Sequence, residues 1–500
     1  MKLRLGTRAS LLAVAQSRLV AAELARLHTD LEIELVTIQT RGDRDLNTPL
    51  HQVKDVNFFN AELDDALTEG HIDLSVHAYK DLPSQRPPEL KLAALPKRED
   101  PRDVVLFHPR SITKLDRGEP LRIGSSSARR QHHIADFLSW ALPQHGSKPQ
   151  LEFVDLRGPV DRRLDQLFRT RNDGQVLDGA VLALAGLNRL FNDADGHEAI
   201  RDKLIGLRWM VVPLSACPTA SGQGALAVEC RRSDALTAAR VAALDHAPTR
   251  GALAEEAELL GPSPAAEDAV TVVPHRQLHL LRYHSGRDSR PMLHPREPRV
   301  RADGNAFDAS QLAAYDDRKA LPLPADLARA KAIFVAHYRC VTLQAGNWPA
   351  GPRVWVSGTT TWRHLAARGI WVEGCTDHLG FDTLGQTLAC QVLSLPPLAE
   401  WVALTHEEAL KSWEKSEVGR VIPAYRHHPQ SLPAKLIETV MGARHFFWSS
   451  PQQYQRLRPF VSADARHAAG PGKTAEYLRD KGIKQVELFP SRQVWQQWLG

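Results

Sequence analysis

The stretch Gly6-Thr7-Arg8-Ala9-Ser10-Leu11-Leu12-Ala13-Val14-Ala15, with its continuation to Ala22, decides how the first half of this chain is read. Ser10 is suited to cap a helix, and after it Leu12, Ala15, Leu19 and Ala22 recur at three- and four-residue steps, laying one apolar face along that helix. Arg8 then sits in a loop between a strand and the helix. Farther on, Leu31, Ile33 and Leu35 alternate with Glu32 and Glu34, and Ile72, Leu74 and Val76 alternate with Asp73 and Ser75, the period-two rhythm of strands. Strands interleaved with helices specify an α/β fold. Open α/β sheets bind ligands at the carboxyl ends of their strands, which is where Arg8 lies.

The same rhythm divides the chain. A second α/β unit, 101–195, starts near Pro101 and carries strand-like Val104 to Phe107, Leu121 to Gly124 and the buried run Ala180 to Leu184. The stretch Pro213 to Cys230 ends in apolar Ala225-Leu226-Ala227-Val228 and is expected to return to the first unit, making it discontinuous (1–100 and 196–232). A smaller third unit follows at 233–305. Residues 284–325 are rich in Arg, Asp, Pro and Gly with poor periodicity, so 306–330 reads as a linker. Over 331–500 the rhythm resumes, with strands at Ala332 to Val335, Val354 to Val356, His445 to Trp448 and Gln485 to Leu488, and a helix at Thr474 to Lys481.

A chain of 500 residues is too long for one core. Its composition, 43% hydrophobic and 24% charged, is that of a globular protein, and no apolar run approaches the roughly 18 residues of a membrane span. The start carries Lys2, Arg4 and Arg8 without the apolar core and cleavage site of a signal peptide, so a cytoplasmic protein is expected. Cys217, Cys230, Cys340, Cys375 and Cys390 form no Cys-x-x-Cys pair and read as reduced thiols. A formal charge of +5, scattered among acids, argues against nucleic-acid binding. It suits a polyanionic small molecule if the arginines converge in a cleft.

The segments bearing chemistry are Gly6 to Ser10, Thr40-Arg-Gly-Asp43, Val76-His-Ala-Tyr-Lys-Asp-Leu-Pro83, Arg98-Glu-Asp-Pro-Arg-Asp103, Gly124-Ser-Ser-Ser-Ala-Arg-Arg-Gln131, Leu156-Arg-Gly158 and Ser221-Gly-Gln-Gly224. Arg129 and Arg130 follow a serine-rich turn at a helix start, where free N–H groups and the helix dipole favour an anion. Each guanidinium can hold a carboxylate bidentately. For any single arginine a structural ion pair is the plainer reading, and Asp81 alone reads as an ion-pair partner of Lys80.

In order and spacing these segments closely resemble hydroxymethylbilane synthase (porphobilinogen deaminase). The resemblance implies two periplasmic-binding-protein-like α/β domains plus a small α+β third domain. It implies that Arg8, Ser10, Lys80, Ser126, Ser127, Arg129, Arg130, Arg157 and Arg163 hold the acetate and propionate groups of pyrrole rings. Asp81 would be the catalytic carboxylate that stabilises cationic intermediates while porphobilinogen is polymerised to hydroxymethylbilane. It also implies a dipyrromethane cofactor, tethered in the family to a cysteine in a Gly-Gly-Cys loop. Here the loop reads Pro264-Ala-Ala-Glu-Asp268, and ungapped extension from Ala243 to His246 puts Glu267 at the cysteine position, so no residue is assigned to attachment. Cys230 matches a core cysteine of the family's returning strand. The family's Gly-rich mobile segment has become Val53 to Phe59, with Val56 at a usual lysine, and Pro159 replaces an asparagine. A primer held only by salt bridges would keep the reaction.

From about Lys331 the chain resembles uroporphyrinogen-III synthase, in His445-Phe-Phe-Trp-Ser-Ser450, Ala468-Ala-Gly-Pro-Gly-Lys-Thr-Ala-Glu-Tyr-Leu478 and Gly482-Ile483. This implies a two-domain α/β region that cyclises the bilane to uroporphyrinogen III. Ser357 to Thr361 and Ser449-Ser450 are either ligand donors or plain caps. The expected partners are small-molecule pyrroles, linear tetrapyrroles and other enzymes of that pathway, with neither nucleic acid nor membrane. Gly472-Lys473-Thr474 lacks the upstream glycine of a phosphate loop, His467 standing there. His132-His133 and His427-His428 are adjacent pairs that need outside ligands to hold a metal, so no metal site is expected. The tryptophans, Trp495 and Trp498 among them, read as packing. A rival reading stays open: a degenerate polypyrrole-binding or scaffolding module that supports the fused synthase.

Overall fold

The computed structural model describes residues 1–40, 60–83, 85–146, 148–171, 174–262, 264–286, 292–294 (backbone only), 304–342 and 348–499. Residues Arg41 to Asp43 of one quoted segment, and Val53 to Phe59, lie outside the described residues. The chain begins with β1 (Lys2–Arg8), β2 (Glu32–Ile38), β3 (Leu74–Ala78) and β4 (Leu90–Ala94). It crosses to a second unit through β5 (Asp103–Phe107), β6 (Leu121–Gly124), β7 (Leu151–Val154), β8 (Gly179–Ala183) and β9 (Arg208–Val211), then returns as β10 (Leu226–Arg231). The two five-stranded sheets have the orders β2-β1-β3-β10-β4 and β7-β6-β8-β5-β9. The strand β10 lies between β3 and β4 and runs antiparallel to both. Val104 to Phe107 on β5 are all fully buried, which is why this run reads as continuous apolar sequence instead of an alternation.

Two devices fix the crossovers. Ser10 caps α1 (Leu11–Leu27), its side chain accepting from the Ala13 N–H at 3.3 Å. The Ser221-Gly-Gln-Gly224 turn needs its glycines: Gly222 and Gly224 have φ of +72° and +87°, and a Cβ on Gly224 would lie 2.7 Å from the Glu99 carbonyl. Glu256, fully buried on the helix Ala247–Leu260, clamps this turn through the Gly222 N–H at 2.7 Å and Arg98 at 2.5 Å. That helix packs on the three-stranded antiparallel sheet β11 (Ala269–His275), β12 (His279–Ser285), β13 (Met292–His294).

The C-terminal strands are β14 (Asn305–Asp308), β15 (Asp316–Ala320), β16 (Ala332–Val335), β17 (Arg353–Val356), β18 (Gly374–Cys375), β19 (Trp401–His406), β20 (Arg420–Pro429), β21 (Ala443–Trp448), β22 (Arg466–Ala469) and β23 (Val486–Leu488). They form a six-stranded sheet, β15-β20-β19-β16-β17-β18, and a four-stranded one, β14-β21-β22-β23. This corrects the linker expected at 306–330, since β14 and β15 are strands in these sheets. Both are edge strands, and the polar and charged residues that protect an edge, Asp308, Asp316, Asp317, Arg318 and Lys319, erased the apolar alternation.

The sheet of the second unit and the six-stranded sheet meet at their edges. The Val211 N–H next to β18 donates to the Glu373 carbonyl at 2.7 Å, and the indoles of Trp371 and Trp362 donate to the Trp209 and Ala141 carbonyls, each at 3.0 Å. One apolar core runs across the join, from Phe137 and Met210 to Trp362 and Val356. All five cysteines are free thiols and buried. No described helix is long and apolar enough to cross a membrane.

Candidate functional site

Side chains of the two N-terminal units converge between the end of β3 and the start of β5, a meeting place called the cleft below, where Gln223 bridges Lys80 and Asp103. At its floor Asp103, the first residue of β5, is fully buried. Burial opposes its ionisation, but the guanidinium groups of Arg130 and Arg129 overcome that and hold its carboxyl well below the usual range. Both arginines come from the first turn of α2 (Ala128–Ala141): Arg129 reaches one oxygen at 2.7 Å and the Pro218 carbonyl at 2.8 Å, and Arg130 reaches the other oxygen at 2.8 Å. Gln223, presented by the two-glycine turn, donates to Asp103 at 2.8 Å and accepts from Lys80 at 3.3 Å. The floor therefore links both units. Arg130 Nε is buried and has no hydrogen-bond partner among the described residues.

The wall is electrostatically different. The short turn Tyr79–Asp81 after β3 presents Lys80 and Asp81, and the Asp81 carbonyl accepts from Asn60 at 3.1 Å. Lys80 keeps solvent access, yet the surrounding protein pulls its ammonium down to about 8; Asp81 and Asp103 oppose the shift, and Arg130 and Arg129 add to it. Arg163 is lowered to about 10 by burial first and then by Arg130 and Arg157, with Asp81 opposing; its Nε donates to the Gly158 carbonyl at 2.6 Å. Lys80 and Arg163 thus each feel both the repulsion of Arg130 and the attraction of Asp81, and Arg157 adds to the repulsion at Arg163. Such mutual repulsion is relieved by an anionic ligand.

Other residues singled out in the sequence have more local contacts. Ser126 exchanges hydrogen bonds with the Leu156 backbone at 3.0 and 3.1 Å, pinning the loop that carries Arg157, and Ser127 caps α2. Ser10 caps α1, as described above. Arg8 ends β1, with its charge felt at the buried His77. Glu267 lies in the turn before β11, and its carbonyl faces His133 Nε2 of α2 at 2.9 Å, so the loop rests against the helix that supplies Arg129 and Arg130. In the C-terminal region Ser450 forms a capping box with Gln453, and the Ser357 and Thr361 hydroxyls lie 3.3 Å apart. Asp103 and Gln223, absent from the expected site residues, hold the floor together. A buried acid at the start of a wholly apolar strand was the available signal, because it requires a cation.

These residues fit the acidic groups of a dipyrromethane, as the unpartnered Arg130 Nε and the crowded cations both indicate. They do not fit its thioether. Cys217, whose Sγ lies 3.5 Å from Arg129, is buried beneath the floor, and burial pushes its thiol up to about 12.

Residues 3–239 match the family model described as porphobilinogen deaminase, dipyromethane cofactor binding domain. Porphobilinogen deaminase of Trichlorobacter lovleyi is 38% identical over 259 residues, 52% of this chain and 74% of the relative. That of Syntrophotalea carbinolica is 39% identical over 52% and 73%. That of Syntrophomonas wolfei is 40% identical over 46% and 67%. Among solved structures, a periplasmic substrate-binding protein of an ABC transporter from Coxiella burnetii aligns with 51% of the chain and 95% of its own at 17% identity, with a TM-score of 0.26, too low to carry an argument. With more than two thirds of each curated relative covered at these identities, the chain belongs to the porphobilinogen deaminase family.

Proposed function

We propose that the cleft condenses porphobilinogen into a linear tetrapyrrole, starting from a dipyrromethane primer held without a covalent bond. The observation that carries this reading is that Lys80 and Arg163 both lie near Arg130 and Asp81, with Arg157 close to Arg163, so that cations gather about one exposed carboxylate. The cations bind ring carboxylates and orient the primer. When the aminomethyl C–N bond of porphobilinogen breaks and ammonia leaves, positive charge spreads over the pyrrole, and the Asp81 carboxylate, which is solvent-exposed and so open to the ring, stabilises it. The terminal ring of the growing chain attacks the exposed methylene carbon, forming a C–C bond, and the attacking ring then releases the proton from its newly bonded carbon. A bound primer supplies that first nucleophilic ring. Glu267 forms no thioether, so the salt bridges alone hold it.

The C-terminal units are proposed to close the bilane to uroporphyrinogen III. Support comes from the sequence resemblance and from the six-stranded C-terminal sheet, which is joined directly to the second unit. A second reading, a binding module without turnover, is favoured by Glu267 in the loop before β11.

The test incubates the full chain with porphobilinogen, with and without added dipyrromethane, following tetrapyrrole formation and intact mass. Bilane formed only with added primer, on a protein of unmodified mass, supports the proposal. A covalent adduct refutes the salt-bridged primer. Binding of dipyrromethane without any bilane favours the second reading.

A further inference from the structure

Outside the cleft, two groups of described side chains bring several metal-binding donors together. One, Asp64, His77 and Glu229, is buried but already holds a cation: the Arg86 guanidinium lies 2.5 Å from Asp64 and 2.7 Å from Glu229. The other is His406, Glu408 and His427, with one donor atom from each lying within 4.8 Å of the others. It sits where the parallel part of the six-stranded sheet ends. The β19–β20 register slips between Thr405 and His406, so that His406 comes opposite Tyr425, and the three rings of His406, Tyr425 and His427 meet edge to face. Bulges of this kind re-aim side chains and recur beside functional sites.

We propose that His406, His427 and Glu408 bind one divalent transition-metal ion of the zinc type, with water in the fourth position. Three observations converge on it. First, His406 Nδ1 is buried with no hydrogen-bond partner. A ring nitrogen so placed forfeits a hydrogen bond unless a ligand meets it. Second, Asp316 of β15 engages His427 Nδ1, which makes that nitrogen the donor and leaves the Nε2 lone pair for a metal. A carboxylate behind a ligating imidazole is the usual orienting arrangement, and it adds negative charge behind the ion. Third, one Glu408 oxygen is anchored by the His427 N–H at 3.0 Å, while the side chain remains exposed and free to close on an ion. Tetrahedral zinc, at about 2.0–2.1 Å from each donor, needs such small adjustments only. Two nitrogens and one carboxylate select zinc, cobalt or nickel over magnesium and calcium. The adjacent His428 points to the opposite face of the strand and is no ligand. His427 is thereby completed by ligands from β19 and the turn after it, which the pairing of neighbours along the chain could not reveal.

The experiment titrates cobalt(II) into the chelator-stripped full chain and reads the visible absorption of the tetrahedral ion, followed by displacement with zinc. One equivalent with tetrahedral absorption is expected. His406→Ala and Glu408→Gln should weaken binding by at least about 10- to 100-fold, Asp316→Asn by a similar factor, and His428→Ala not at all. Circular dichroism checks each variant. If His406→Ala does not fold, Glu408→Gln, at an exposed side chain, decides alone. Unchanged cobalt affinity in folded Glu408→Gln, or no tetrahedral spectrum in the parent protein, overturns the proposal.

Discussion

The floor of the cleft carries buried arginines and the wall half-buried ones, and they are stabilised in opposite ways. On the floor, Arg129 and Arg130 share the two oxygens of one acid, Asp103, so the folded chain itself supplies their counter-charge. On the wall, Arg163 donates to the Gly158 carbonyl at 2.6 Å, and it is lowered to about 10 by burial first and by Arg130 and Arg157 after it, with Asp81 opposing. The comparison separates two uses of the same residue type: the floor arginines neutralise a buried acid of their own unit, and on the proposed function the wall arginine Arg163 serves a ligand. A mutation should therefore move stability at one place and affinity at the other.

The largest effect is expected at the floor. Asp103→Asn leaves two buried guanidinium groups without their acid and should destabilise the protein by about 3–5 kcal/mol, read as a shift of the urea midpoint. If stability hardly changes, the division between floor and wall fails. Next is the wall. Arg163→Met removes a cation that its neighbours repel, so the urea midpoint should hold or rise, while dipyrromethane affinity measured by calorimetry should fall by about 10- to 100-fold, the worth of a charge-assisted hydrogen bond. A matching loss of stability would make Arg163 a structural residue like Arg129.

Smaller, and specific in sign, is a pH effect at Lys80. Folding lowers this ammonium from 10.5 to about 8, so it is charged below about pH 8 and binds carboxylates there. Affinity for an acidic pyrrole should weaken as pH rises through about 8. Between that pH and 10.5 the unfolded chain holds the extra proton, so folding stability should rise over the same window. Lys80→Gln should flatten both limbs. The smallest effect belongs to Ser10→Ala, which should cost about 1 kcal/mol of stability through the lost cap of α1. A loss of ligand affinity larger than that would place the Ser10 hydroxyl on the ligand.

What could be read from the sequence was what depends on near neighbours. Ser10 and the three- and four-residue steps behind it specify α1, and the four apolar residues Ala332 to Val335 are the whole of β16. The cationic segments were legible as segments, and the fold brings Arg130 near both Lys80 and Arg163; their role toward a ligand stays a proposal. What could not be read depends on distant residues. The role of Asp103 rests on arginines 26 and 27 positions away, and that of Gln223 on contacts 120 or more positions back. The strands β14 and β15 were missed because an edge strand is selected for polarity, which hides the alternation that marks a strand.

The join between β9 and β18 has a consequence for anyone who wishes to divide this molecule. Each half uses the other as a lid over a raw strand edge and over tryptophans that would otherwise meet water. Cut free, either half would present that edge as a template for self-association. Separate genes for the two halves should therefore yield insoluble products when expressed singly and a soluble particle when expressed together.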